Sequence, residues 1–194
     1  MITKKVFETP SNKKIIVYDN MFSTQECLDI YLLIGGLPYF RTNIDLPVAG
    51  TRDIDTKFVS NIGINDRLGK VLFEKYTENI DEIPINDARI MNQYVNYSTH
   101  GTVDRLHGDC SSFHIDPTYT ILQYANFRWE TDWHGQTVFY DDNHEDIIFS
   151  STIKPGRVVL FDSIIPHSAT APSKLSEFPR FTIATKLVIP KNEY

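Results

Sequence analysis

Six short β-rich runs crowd the second half of this chain. They are ARIMNQYVNY (88–97), TYTILQYAN (118–126), GQTVFYDD (135–142), IIFSSTI (147–153), RVVLFDS (157–163) and RFTIATKLVI (180–189). Turn residues bound each run, and no helical run separates one from the next. Strands at this spacing specify an antiparallel sandwich or barrel. The first half reads differently. KKIIVYDN (13–20) is a strand running into a turn, and Ser23-Thr24-Gln25-Glu26 has the form of a capping box. Cys27, Ile30, Tyr31 and Ile34 then keep a helical period that Gly35-Gly36 ends. Residues 41–57 are polar and loop-like, and FVSNIGI (58–64) is a further strand. Asp66 stands where it would cap a second helix over LGKVLFEKY.

With no linker and no internal repeat, the expectation is one domain over 1–194. Residues 1–88 form a helical and strand support, and 89–190 form a barrel core. A chain of 194 residues can bury roughly 70% of its unfolded surface, so the core needs no disulfide. The two cysteines, Cys27 and Cys110, lie far apart and outside any CxxC pattern, which suits a reducing cytoplasm. The N-terminal stretch MITKKVFETPSNKK lacks an apolar core, so no secretory signal is expected. No apolar run is long enough to span a membrane. A net charge of −6 with scattered lysines and arginines makes nucleic acid an unlikely partner. Oligomeric state is not legible.

Chemistry concentrates in GTVDRLHGDCSSFHIDPTYT (101–120), which carries His-x-Asp twice: His107 with Asp109, and His114 with Asp116. Positions i and i+2 of a strand share a face, so either pair is half of a metal site. His167, in IIPHSATAP, is the candidate third ligand. Two histidines and one carboxylate form the facial triad of non-haem Fe(II) oxygenases, with positions left open for substrate. Arg180 follows thirteen residues after His167, and Thr182 shares its face two residues on. A guanidinium with a neighbouring hydroxyl is suited to clamping a carboxylate. His100, His134 and His144 read as loop residues. A non-catalytic jelly-roll module, its histidines incidental, is the alternative these residues leave open.

These segments, in this order, resemble the Fe(II)/2-oxoglutarate-dependent dioxygenases, and within them the prolyl 4-hydroxylase-like branch. The resemblance runs over about residues 89–189, through NYSTHG, TILQYANFRWETDWHGQTVFYDD, IKPGRVVLFDSIIPHSATAP and RFTIATKL. Two positions depart from the family pattern: His134-Gly135 stands where Gly-Gly is usual, and Ala125 replaces a leucine. The resemblance implies a double-stranded β-helix, a distorted jelly roll. It implies Fe(II), 2-oxoglutarate and O₂ as cofactors, with ascorbate as a possible reductant. The implied reaction is hydroxylation of a C–H bond with release of succinate and CO₂.

Family spacing chooses between the two His-x-Asp pairs. Tyr97 to His107 is ten residues and Asp109 to Thr120 eleven, as in relatives, whereas Tyr97 to His114 is seventeen and Asp116 to Thr120 four. Pro117, with no N–H for a ladder, also leaves Asp116 running straight into the next strand. His107, Asp109 and His167 are therefore the expected ligands. The resemblance assigns Arg180 and Tyr124 to the far carboxylate of 2-oxoglutarate, and Tyr97, Thr182 and Thr137 to the pocket wall. Trp129, Trp133, Arg41 and Arg52 are expected to flank the entrance, where a peptidyl proline or a small amino-acid-like molecule would enter.

Overall fold

The computed structural model describes residues 1–41, 57–63, 66–110 and 116–191. It is an antiparallel β structure backed by two helices. In chain order the elements are β1 (Thr3–Glu8), β2 (Lys14–Asp19), α1 (Thr24–Gly35), β3 (Phe40–Arg41), β4 (Phe58–Asn61) and α2 (Arg67–Asn79). There follow β5 (Arg89–Ser98), β6 (Thr118–Tyr124), β7 (Thr137–Tyr140), β8 (Ile147–Ser151), β9 (Val158–Asp162), β10 (His167–Ala169) and β11 (Arg180–Val188). The six β-rich runs correspond to β5, β6, β7, β8, β9 and β11. The polar loop expected at 41–57 lies, apart from its two ends, outside the described residues.

Eight strands form one sheet in the order β1-β2-β9-β6-β11-β5-β4-β3, and β10-β7-β8 form a second. After β5 the chain passes back and forth between the sheets, which is the jelly-roll pattern. An isolated antiparallel bridge, His107↔His167, extends the small sheet by one position beyond β10. The N-terminal strands β1 and β2 join the large sheet through Ile15↔Phe161 and Val17↔Val159, rather than standing apart from it.

The large sheet is covered on both faces, which explains why its strands read as nearly continuous apolar runs. Ile15, Val17, Leu122, Tyr124, Val159, Phe161 and Ala184 pack between the sheets. Their neighbours Ile16, Tyr18, Ile121, Leu160, Phe181 and Ile183 pack on the other side, with Cys27, Ile30 and Ile34 of α1 and Leu72 and Tyr76 of α2. Residue parity therefore decides which side chains enter the barrel.

The helix ends are set locally. Ser23 Oγ accepts the Glu26 N–H at 3.2 Å and Glu26 Oε2 accepts the Ser23 N–H at 2.7 Å, completing the capping box. Asp66 occupies the N-cap position of α2, but its carboxylate turns back to accept the Gly63 N–H at 2.8 Å and does not cap the helix. No described helix is long and apolar enough to cross a membrane.

Candidate metal and anion site

The bridge between His107 and His167 is the structural seed of the site. Each backbone N–H donates to the other's carbonyl, at 3.0 and 2.9 Å, which sets the two imidazoles side by side, tilted by 51° with ring centroids 4.5 Å apart. The Asp109 N–H donates to Ser163 O at 2.7 Å and brings the carboxylate beneath them. One ligating atom from each of His107, Asp109 and His167 then lies within 4.8 Å of the others. The carboxylate oxygens stand 3.8 Å from His107 Nε2 and 3.6 Å from His167 Nε2.

The tautomers are set by the backbone. His107 Nδ1 lies 2.7 Å from Arg105 O, and His167 Nδ1 lies 2.9 Å from Ile165 O. A carbonyl only accepts, so each Nδ1 carries the proton and each Nε2 lone pair faces the cluster. Burial pushes the His167 imidazole below its ordinary pKa, which favours the neutral, ligating form. Burial works against ionisation of Asp109, but its interactions with His167, Lys186 and His107 outweigh it and hold the acid well below the usual carboxylate range. Two imidazole nitrogens and one carboxylate oxygen are a donor set that fits a divalent transition ion.

A small cavity of about 40 Å³, open at its mouth, lies between these three side chains and Arg180. Arg180 is 2% exposed. Its Nε donates to Gly135 O at 2.8 Å, Nη2 to Thr137 Oγ1 at 3.0 Å, and Nη1 to Thr182 Oγ1 at 3.3 Å. All three acceptors are neutral. No carboxylate of the described residues pairs with it, so a buried cation faces the cavity with donors to spare. Tyr124 lies under the guanidinium, 5.9 Å from ring centre to Cζ, and its hydroxyl oxygen lies 3.0 Å from both Thr137 Oγ1 and Ser151 O. Asn96 also lines the cavity, and its Oδ1 is buried without a partner.

The close approach at Gly135 is what seats the arginine. A Cβ there would lie 2.9 Å from Ile153 Cδ1 and 3.4 Å from Arg180 Cδ, and φ is +82°. His134, where the resembled family has glycine, adopts φ 58° and ψ −140°. The Trp129 Nε1–H holds its carbonyl at 2.9 Å, and a bridge to Pro172 holds its backbone.

The structure brings together His107, Asp109, His167, Arg180, Thr182, Thr137 and Tyr124. It separates Tyr97 from them, a correction to the sequence reading. On β5 the residues lining the cavity are Tyr94, Asn96 and Ser98, so odd-numbered Tyr97 points to the opposite face. There it packs with Tyr39, Phe58 and Phe181. Trp129 and Trp133 pack against each other. They stack edge to face at 5.4 Å, with Phe178 against Trp133, and neither lines the cavity. Arg41 is exposed on β3, a two-residue strand at the edge of the large sheet, and is not among the lining residues. Arg52 and His114 lie outside the described residues, and Asp116 accepts the Lys191 N–H at 3.1 Å.

Three residues of the site were not anticipated. Lys186 Nζ lies 3.0 Å from Asp109 Oδ1. Alternation from Arg180 and Thr182 through Ala184 could have found it. Lys57 Nζ meets Asp104 Oδ1 at 2.8 Å, and the Ala169 N–H donates to Asp104 Oδ2, also at 2.8 Å. No spacing rule connects those positions.

No family model and no curated protein matches the sequence. Solved structures do. HygX from Streptomyces hygroscopicus, with nickel and 2-oxoglutarate bound, aligns at a TM-score of 0.63 over 90% of this chain and 82% of its own, at 13% identity. A Trichoplax adhaerens prolyl hydroxylase, in complex with a hypoxia-inducible-factor peptide fragment, aligns at 0.61 over 90% and 83%, at 18% identity. A Pseudomonas putida prolyl-4-hydroxylase aligns at 0.58 over 98% and 93%, at 13% identity. The fold is that of the Fe(II)/2-oxoglutarate oxygenases. Within that fold the alternation of strands between two sheets delivers His107 and His167 to one barrel mouth and Arg180 to the wall behind it.

Proposed function

We propose that this protein is an Fe(II)- and 2-oxoglutarate-dependent dioxygenase that hydroxylates a C–H bond. The single observation that carries the reading is the pairing of a His₂Asp cluster with a buried guanidinium, paired with no carboxylate of the described residues, at the other end of one cavity. A metal site alone would fit many enzymes. A cation site for a diacid behind it narrows the class. His107, Asp109 and His167 hold the metal through Nε2, one carboxylate oxygen and Nε2. Arg180, with Thr182 and Thr137, grips the far carboxylate of 2-oxoglutarate, and Tyr124 props the guanidinium from below. Iron and 2-oxoglutarate together supply the oxidising chemistry, with succinate and CO₂ as co-products.

The protein's own part is positional. Backbone carbonyls lock both imidazoles in one tautomer, and the sheet walls Tyr94, Leu122 and Ala184 keep the space around the metal cluster narrow. We assign the substrate as a prolyl residue of a peptide or a small amino-acid-like molecule. Support comes from fold similarity to two prolyl hydroxylases, one of them in complex with a peptide fragment. We infer a single domain, its barrel core at 89–190.

Anaerobic titration tests the reading. Fe(II) with 2-oxoglutarate is expected to give a visible charge-transfer band, lost in His107→Ala and weakened in Arg180→Met by a roughly hundredfold poorer 2-oxoglutarate affinity. Succinate release is then measured against prolyl peptides and free amino acids. A wild-type protein that gives no band would return the chain to the class of non-catalytic jelly-roll modules.

A further inference from the structure

Asp109 is 4% exposed at its side chain and stands in the wall of the cavity. A second cation, besides any metal, is built against it. Lys186 Nζ lies 3.0 Å from Oδ1, with its own side chain only 9% exposed. The ammonium is also held 5.5 Å above the Tyr94 ring. Lys186 follows Arg180, Thr182 and Ala184 on the inward face of β11, and the register of the β5–β11 ladder shifts between Lys186 and Leu187. Such a bulge re-aims the adjoining side chain.

We propose that Lys186 is a positioning residue, the counter-cation of the metal-free site, and that it sets how tightly the divalent ion is held. The inference rests on the His107, Asp109 and His167 reading above. With no ion present, Lys186 neutralises a carboxylate whose burial would otherwise be costly. When an ion enters, ammonium and metal share one carboxylate, and their mutual repulsion weakens binding. Asp109 does not depend on the lysine for its orientation. Thr120 Oγ1 donates to Oδ2 at 2.8 Å and itself lies 3.0 Å from Ser163 Oγ. The Asp109 backbone is fixed to Ser163 O at 2.7 Å. Removing the lysine therefore removes charge more than it removes geometry.

The test uses Mn²⁺ alone, followed by calorimetric titration and by thermal melting, with no 2-oxoglutarate and no turnover. Lys186→Met is expected to bind Mn²⁺ roughly tenfold or more tightly than wild type, to melt lower when metal-free, and to gain more in Tm when the ion is added. Lys186→Arg keeps the charge and is expected to behave as wild type. If Lys186→Met does not persist without metal, it is purified with Mn²⁺ and then chelated. Unfolding on chelation, where wild type stays folded, is the same result in another form. A Lys186→Met protein that stays folded and binds Mn²⁺ no more tightly than wild type overturns the proposal. Wild type that binds no Mn²⁺ at all overturns the metal reading itself, which is a different failure.

Discussion

Arg157 and Asp19 show what one fork of hydrogen bonds does far from the cavity. Arg157 Nε donates to Asp19 Oδ1 at 2.6 Å and Nη2 to Oδ2 at 3.0 Å, joining the end of β2 to the residue before β9. Arg157 is 7% exposed, so losing its partner leaves a largely buried charge. Hydrogen bonding to the guanidinium holds the Asp19 carboxyl below its usual pKa. Asp19→Asn is therefore expected to cost about 2 kcal/mol at neutral pH, measured by urea unfolding. A lowered folded-state pKa adds stability that is complete above the unfolded value of about 3.9 and is lost as pH falls through the folded value. The gap between wild type and Asp19→Asn is thus expected to narrow as pH falls below about 3.9 toward the lowered folded value. A gap that stays constant down to pH values of about 3 would mean that the pair contributes nothing through charge.

At the scale of one element, α2 illustrates packing overriding propensity. Gly69 lies in the first turn of α2, where alanine is the better helix former. A Cβ at Gly69 would stand 2.7 Å from Gly63 O and 2.8 Å from Gln93 Oε1. Gln93 is buried and its amide is tied to Thr185 Oγ1 at 2.9 Å, so neither neighbour yields freely. Gly69→Ala is expected to lower stability by about 1–3 kcal/mol despite its better propensity, read as a fall in the denaturation midpoint with an unchanged slope. A higher midpoint would show that α2 can shift outward at little cost. The same element marks a limit of local reading. Asp66 has the right residue type and position for a cap, yet Gly63 N–H captures its carboxylate.

For the molecule as a whole, the sheet order predicts where the structure opens. β6, β9 and β11 are central in the large sheet and largely buried on both faces, whereas β1 is an edge strand with five of its six residues exposed. Amide hydrogen exchange is expected to be slowest across β6, β9 and β11, and fastest at β1 and at the β3 edge. Exchange of β11 as fast as that of β1 would contradict a fold organised around the β5–β11–β6 ladders. This rigidity bears on the site, because Arg180 at the start of β11 and Lys186 near its end act on two ends of one cavity from a single stiff strand.

The sequence by itself determined the strand segments, because alternation and turn residues are local. It determined the capping box of α1 as well, and the residues that can bind a metal and an anion. His-x-Asp and Arg-x-Thr work because residues two apart on an extended chain share a side. Parity propagates only within a strand, however, and the sequence does not say which parity faces the cavity. Tyr97 packs on the outer face and Lys186 on the inner one, and neither choice is written in the local pattern. Which face is inner is decided when the second sheet closes over the first. The Lys57–Asp104 pair, the Trp129–Trp133 stack and the meeting of His107 with His167 are long-range contacts, fixed by sheet topology and close packing rather than by any spacing along the chain.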